Sequence, residues 1–466
     1  MGTSATANGG VSFWYSALGT PAPRPALDGP LDVDVAIVGG GYTGLWAAYY
    51  LKAAEPSLRV AVLEQRFCGY GASGRNGGWL YNGFAGRGAF ARKYGKPAAQ
   101  AMQRAMNEAV DEVIQVCDTE GIDADVVKGG VLEVARTPAQ LKRLDAFVAA
   151  EHSYGLTEVV RLDAEQAAAQ RAVDGTLGAS WTPHGARIQP AKLVLGLAEV
   201  VARMGVQIYE QTPVTEILPA AGTGRARAVT AHGTVTAHQV LRCTEGFTAN
   251  LPGEQRSWLP MNSSMIVTAP LPASFWASVG WEGHATLGDF AHAYMYAQRT
   301  ADDRIALGGR GVPYRFGSRT DNDGSTAQRT VDELYAILTR FFPAARGIGV
   351  DHAWSGVLGV PRDWCCTVAL DRASGLGWAG GYVGSGVTTT NLAGRTLRDL
   401  VLERDTELTV LPWVGHKVRR WEPEPLRWLG VHGMYAAYHW ADRQERDGRA
   451  TTSPVARVAD LVSRRH

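Results

Sequence analysis

The feature that most limits what this chain can become is a short strand that runs without pause into a glycine turn. Val33-Asp34-Val35-Ala36-Ile37-Val38 is β-branched and apolar enough to be buried, which predicts an inner strand of a parallel sheet. Gly39-Gly40-Gly41-Tyr42-Thr43-Gly44 follows, and then Leu45 to Lys52 carries apolar residues and alanines at helical spacing. Val60-Ala61-Val62-Leu63 is a second buried strand, ending at Glu64. In such a unit Gly39 permits the tight turn, Gly41 lets backbone approach a pyrophosphate, and Gly44 lets helix and strand pack closely. The free N–H groups and positive end of the helix suit phosphates. Glu64 stands where an acid accepts hydrogen bonds from a ribose. A bare G-x-G-x-x-G is as easily a surface turn, but here the strand, helix, second strand and acid surround it, and the reading is a dinucleotide site.

Two more glycine clusters narrow the ligand. Gly69-Tyr70-Gly71-Ala72-Ser73-Gly74-Arg75-Asn76-Gly77-Gly78 follows the ribose acid directly. A nicotinamide site needs no second glycine loop there, whereas FAD, extended from adenine to isoalloxazine, does. Glu64 also disfavours NADP, because an acid repels a 2′-phosphate. A surface loop is the bland alternative, but the cluster adjoins Trp79-Leu80-Tyr81, which would be costly to expose. The third cluster, Gly380-Gly381-Tyr382-Val383-Gly384-Ser385-Gly386-Val387, opens a helix expected through about Leu402. Its N–H groups and dipole would stabilise negative charge at the N1–C2=O edge of a reduced flavin. Taken alone it is equally a strand-to-helix turn.

A chain of 466 residues exceeds one ordinary core and implies two or three domains. With 45% hydrophobic and 20% charged residues the composition is that of a soluble globular protein. The net charge of +1 supplies no electrostatic case for nucleic acid or a membrane surface, and no apolar stretch is long enough to span a bilayer. Met1 to Gly10 lacks the pattern of a secretory signal. Cys68, Cys117, Cys243, Cys365 and Cys366 are odd in number and irregularly spaced, which disfavours a disulfide framework or a zinc site and fits a reducing cytoplasm. Further helices are expected over about Ala98–Cys117, Pro190–Met204 and Thr330–Phe341. Strands are expected at Val131–Val134, Val206–Tyr209, Val229–Val235, Gln239–Arg242, Met265–Ala269, Ala293–Gln298 and Arg304–Leu307. Cofactor-type segments lie at the start, middle and end of the chain, so a discontinuous cofactor domain with an inserted substrate domain explains the order best. The prolines of Arg419–Trp428 argue against a regular helix there, and a structural role is the default for that tail.

The combination resembles the superfamily of FAD enzymes that holds D-amino-acid oxidase, glycine oxidase and sarcosine oxidase, and is closest to its gamma-glutamylputrescine oxidase branch. The matching pieces are Val35–Leu45, Gly71–Gly78, Gly185-Ala186-Arg187-Ile188-Gln189-Pro190, Thr244-Glu245-Gly246-Phe247-Thr248, Asp302–Gly309 and Gly380–Val387, in family order over roughly residues 12–405. The resemblance implies an α/β chain: a Rossmann-like FAD-binding domain with an inserted α+β substrate domain built on a mainly antiparallel sheet. Residues 1–30 are then a leader, 31–95, 182–255 and 350–405 the FAD-binding domain, 96–181 and 256–349 the substrate domain, and 406–466 a C-terminal extension.

Cofactor contacts are expected from Gly39, Gly41, Tyr42, Thr43 and Gly44, from Glu64, Gln65 and Arg66, and from Gly71, Ala72, Ser73, Arg75, Asn76, Gly77 and Gly78. Further contacts are expected from Val214, Gly246, and Gly384, Ser385, Gly386, Val387 and Thr388. The resemblance brings Trp79, Tyr81 and Asn82 close to the flavin. For the arginine that binds a substrate carboxylate, Arg310 is the candidate, with Tyr294 and Tyr296 as other pocket residues. An arginine in a sheet is more often paired with a structural acid, and a strand tyrosine is more often packing. The Arg75-Asn76 region has no His and no Cys lies near Gly384, so non-covalent FAD is expected, with Cys365 and Cys366 as buried structural thiols. The usual Asp-x-x-Pro approach to the last cluster is replaced by Arg362-Asp363-Trp364-Cys365-Cys366.

The reaction the family implies is hydride removal from a carbon bearing an amine, in a small amine or amino acid. Oxygen or another carrier then takes the electrons. A same-fold dehydrogenase with another acceptor and a non-catalytic FAD-binding subunit are the alternatives.

Overall fold

A computed structural model of the chain describes residues 4–309, 313–320 and 323–463. The opening strand, Leu31–Val38, is central to an eight-stranded sheet. It pairs in parallel with Val60–Leu63 on one side and with Gly233–Arg242 on the other. Gln207–Tyr209 continues the parallel order beyond Val60–Leu63, and Leu376–Gly380 continues it beyond residues 240–242. Buried on both faces, these strands need no alternation, which is why their sequence reads as continuous apolar runs. One face packs on the helices Tyr42–Ala54, Lys96–Glu120, Pro190–Arg203 and Gly386–Val401. The other is closed by an antiparallel meander, Val214–Leu218 and Ala226–Thr230, with Leu27 from the leader.

The second sheet has nine strands and is mainly antiparallel. Its order runs Ala5–Asn8, Val350–Val360, Leu259–Thr268, Ile305–Gly309, Tyr296–Arg299, Thr286–Asp289, Val131–Ala135, Gly178–Thr182 and Val160–Asp163. Its two parallel pairings are at Ala5–Asn8 with Val350–Val360 and at Thr286–Asp289 with Val131–Ala135. The amphipathic helix Gln328–Phe341 buries Val331, Leu334, Leu338 and Phe341 against it. The α/β class and the mainly antiparallel second sheet are as expected from the sequence.

The division of the chain differs from expectation in two places. Val350–Val360 was expected with the cofactor segments but pairs along its whole length with Leu259–Thr268 of the second sheet. Lys96–Glu120 was expected in the substrate domain, yet its Met102, Met106, Val110 and Val113 are buried in the core of the first sheet. The leader is built into the fold: Ala5–Asn8 adds an edge strand, and Trp14 and Tyr15 are buried. The tail holds two helices, Leu426–Arg446 and Pro454–Ser463, the first beginning immediately after Pro425. No described helix is long and apolar enough to cross a membrane.

Candidate active site

A cavity of about 920 Å³ is lined by residues of both sheets. At one end lies the first glycine turn. Gly39 has φ +111°, and a side chain there would stand 2.7 Å from the carbonyl oxygen of Cys243. A side chain at Gly44 would collide with the carbonyl oxygen of Gly39, so the third glycine does serve helix–strand packing and does not line the cavity. Gly41 caps the helix Tyr42–Ala54 without a side-chain bond, and the Tyr42 N–H donates to Ser73 Oγ at 2.8 Å. The second cluster thus sits on the N-terminus of the first helix.

Glu64 is buried and lines the cavity. Its Oε2 accepts from the Gly40 N–H at 2.8 Å and its Oε1 from the Arg66 N–H at 3.0 Å. Burial nevertheless pushes its carboxyl up to about 7, with Glu210 adding to the rise. Gln65 and Val214 line the same end. Arg66 does not; its guanidinium lies 5.3 Å from the Tyr70 ring.

Gly71, Ala72, Ser73, Arg75, Asn76 and Gly77 all line the cavity. Arg75 is fixed by its own loop: Nε donates to the Tyr70 carbonyl at 2.7 Å, and its guanidinium lies 4.4 Å from the Tyr70 ring. Asn76 braces the turn, donating to the carbonyls of Ala72 and Ser73 and accepting from the Gly78 N–H. Gly77 makes room for Tyr296, whose ring would be 2.6 Å from a side chain placed there. Gly78 lies behind the cavity, against the Gln298 amide.

In the third cluster Gly384, at φ +102°, Gly386 and Val387 line the cavity at the N-terminus of the helix Gly386–Val401. Ser385 is turned to Tyr81, their hydroxyls 2.7 Å apart. Thr388 does not line the cavity; its Oγ1 is buried with no hydrogen-bond partner among the described residues. Gly246 likewise lies behind it, packed on Val357. Its neighbour Glu245, which sequence reasoning did not single out for a role, ties the two sheets together. It accepts from the N–H groups of Tyr382 and Gly359, and burial raises its carboxyl to about 7.

The other half of the cavity belongs mainly to the second sheet. Trp79, Tyr81, Asn82, Tyr294 and Tyr296 are all present in its wall, while Arg310 falls outside the described residues. Trp79 packs edge-to-face on Tyr81 and Tyr296, with centroids 5.9 and 6.3 Å away. Sequence reasoning missed the acids here. Glu133 and Asp289, on neighbouring parallel strands, both line the cavity, and burial pushes each carboxyl up to about 7. The available signal for Glu133 was an acid within an otherwise apolar strand, Val131-Leu132-Glu133-Val134-Ala135, whose other residues are buried on both faces. Arg87 and Arg143 also line this half, but Arg87 pairs with Glu151 and Arg143 holds Glu445 bidentately at 2.6 and 2.9 Å.

These residues fit FAD. The N-termini of the helices Tyr42–Ala54 and Gly386–Val401 both reach the cavity without a side-chain cap, a side chain at Gly41 would stand 2.9 Å from Ser73 Oγ, and Glu64 offers an acceptor. The cavity volume lies near the top of the range for cofactor sites, as an elongated ligand requires.

A family model described as FAD dependent oxidoreductase matches residues 34–400. Gamma-glutamylputrescine oxidoreductase of Escherichia coli (strain K12) is 30% identical over 401 residues, covering 84% of this chain and 88% of that protein. Glycine oxidase of Bacillus licheniformis is 23% identical, covering 79% and 93%. The crystal structure of glycine oxidase from Geobacillus kaustophilus superposes with a TM-score of 0.68 at 22% identity, covering 83% of this chain and 99% of that one.

Proposed function

The chain belongs to the FAD dependent oxidoreductase family, and from that premise we propose that it oxidises the C–N bond of an amine or amino acid. Bound FAD supplies the hydride acceptor at N5, the resulting imine hydrolyses in water, and oxygen takes the electrons to give hydrogen peroxide. The observation that carries this reading is one cavity shared by the cofactor turns and an aromatic, acid-bearing wall. The similarity to proteins named for gamma-glutamylputrescine and for glycine supports the substrate class.

The chain's own residues have separable tasks in this reading. The N-terminus of Tyr42–Ala54, with Ser73, holds the pyrophosphate, and Glu64 accepts from the ribose. The N-terminus of Gly386–Val401 holds negative charge that develops at the flavin edge. Trp79, Tyr81 and Tyr296 position the reacting carbon and keep water away, with Tyr81 steadied by Ser385. Non-covalent attachment fits this reading, because Cys243, Cys365 and Cys366 are buried and burial raises their thiols, Cys243 and Cys365 to about 12. All five cysteines are free and buried.

Anaerobic mixing of the yellow holoprotein with primary amines, N-methyl amines and D- and L-amino acids tests the reaction. Bleaching by at least one class is expected, followed by rapid recovery of colour on adding oxygen. Slow recovery moves the electrons to another acceptor. No bleaching by any compound overturns the reading.

A further inference from the structure

We propose that Glu133 is the specificity-determining residue of this cavity, and that it selects a substrate arriving as an alkylammonium without a carboxylate on the reacting carbon. The inference rests on the C–N oxidation reading and decides between its two substrate classes.

Glu133 projects from the strand Val131–Ala135 into the cavity, and its carboxylate has no hydrogen bond or ion pair among the described residues. Opposite it on the paired strand is Gly288, which has no side chain to fill the intervening space. A side chain there would stand 3.2 Å from the indole edge of Trp79 and 3.5 Å from Glu133 Oε1. The acid therefore faces the same small volume as the aromatic group placed beside the reacting carbon. Trp79 turns its indole edge to that volume and packs edge-to-face on Tyr81 and Tyr296, so the wall beside the acid is aromatic.

The charges around this volume point the same way. Asp289 lines it too, with its Oδ1 accepting from the Met295 N–H at 3.0 Å. Each described arginine of the cavity wall is already engaged. Arg87 is paired with Glu151 and hydrogen-bonded to Gln103, Arg143 is held by Glu445, and Arg75 is tied to the carbonyls of Tyr70 and Ser355. A substrate carboxylate would thus meet the acids Glu133 and Asp289, while the hydrogen bonds of Arg87, Arg143 and Arg75 run to other groups of the protein. An ammonium would instead pair with a half-buried acid, and a carboxylate drawn partly out of water gains from such a partner. Burial raises both carboxyls, helped at Glu133 by the like charges of Glu151 and Asp289 and at Asp289 by that of Asp442.

Two compounds that cannot be oxidised test this without turnover. Tert-butylamine and 2-aminoisobutyrate each carry a tertiary carbon with no hydrogen to lose, and differ by a carboxylate in place of one methyl. Binding to the FAD-loaded protein is read from the perturbation of the flavin spectrum at pH 8. The wild type is expected to bind tert-butylammonium at least tenfold more tightly than 2-aminoisobutyrate, and Glu133→Gln to lose that advantage while keeping its FAD content and melting temperature. Glu133→Asp should retain part of it. Equal or tighter binding of 2-aminoisobutyrate by the wild type, or an unchanged preference in Glu133→Gln, overturns the proposal. If the preference follows Glu133 and yet no amine bleaches the flavin, the ammonium site stands and the oxidation reading fails.

Discussion

Single positions divide into those whose chemistry is local and those whose meaning depends on a distant strand. Gly44 is local: its helix lies against its own turn, and any side chain strikes the Gly39 carbonyl. Gly44→Ala should destabilise the protein by about 1–3 kcal/mol, as overpacking does, and weaken FAD binding. Urea denaturation of the apoprotein and a FAD titration check both. Gly384→Ala meets open space and only backbone strain at φ +102°, so its cost should be smaller than that of Gly44→Ala in the same assay. Glu64 gives a signed pH effect. Its folded carboxyl is raised to about 7 from an ordinary value of 4.5, so the folded apoprotein holds a proton that the unfolded chain releases. That contribution is complete below about 4.5 and is lost as pH rises through 7. The melting temperature of the apoprotein should fall between pH 5 and 7, and Glu64→Gln should flatten the fall. A rise over this range, or a slope unchanged by the substitution, would contradict the assignment. Glu64 was legible because a strand end after a glycine turn defines it. Glu133 was not, because its meaning depends on Gly288 lying opposite, more than a hundred residues away.

Elements were legible where their burial pattern is self-contained. Tyr42–Ala54, Pro190–Arg203, Gln328–Phe341 and Gly386–Val401 were expected within a few residues of where they lie. Val350–Val360 was harder, since a strand's sequence tells that it pairs but not with which partner; its ladder to Leu259–Thr268 is non-local. The C-terminal helix Leu426–Arg446 was hidden by the proline-rich approach, although Val431, Tyr435 and Tyr438 recur on one buried face. This helix clasps the cavity wall. Glu445 receives both Arg143 nitrogens and lies 3.0 Å from His292 Nε2, and Asp442 accepts from the N–H groups of His292 and Ala293. Arg143 and His292 both line the cavity. Glu445→Ala leaves Arg143 unpaired and should cost on the order of 3 kcal/mol, with faster protease cleavage beyond residue 405. The Glu445 carboxyl is held down to about 2, chiefly by Arg143 and His292 against the opposing effect of burial. Its contribution is therefore present above about 4.5 and lost as pH falls towards 2, opposite in sign to that of Glu64. Tail cleavage that stays slow in Glu445→Ala at neutral pH would remove the clasp.

At the scale of the molecule, the cavity lies where the two sheets meet, so a ligand filling it couples them. FAD at a hundredfold excess over its Kd should stabilise the protein by about 2.7 kcal/mol. The melting temperature should rise with FAD concentration, and removal of FAD should make the strands around Trp79 and Tyr296 exchange amide hydrogens faster. A melting temperature independent of FAD would place the ligand outside this cavity.

The sequence alone located the first glycine turn, the acid at the end of the second strand and two further glycine clusters, because each lies in a contiguous run whose backbone must turn or pack without a side chain. The same runs predicted a Rossmann-like sheet with helices on it. Tertiary structure alone decided what faces the substrate. Whether Gly77 contacts a cofactor or clears space for Tyr296, whether an arginine is already paired, and whether Glu133 stands half-buried near Trp79 all depend on strands brought together across the chain. Desolvation and charge pairing are properties of that assembled neighbourhood, and no local pattern of residues encodes them.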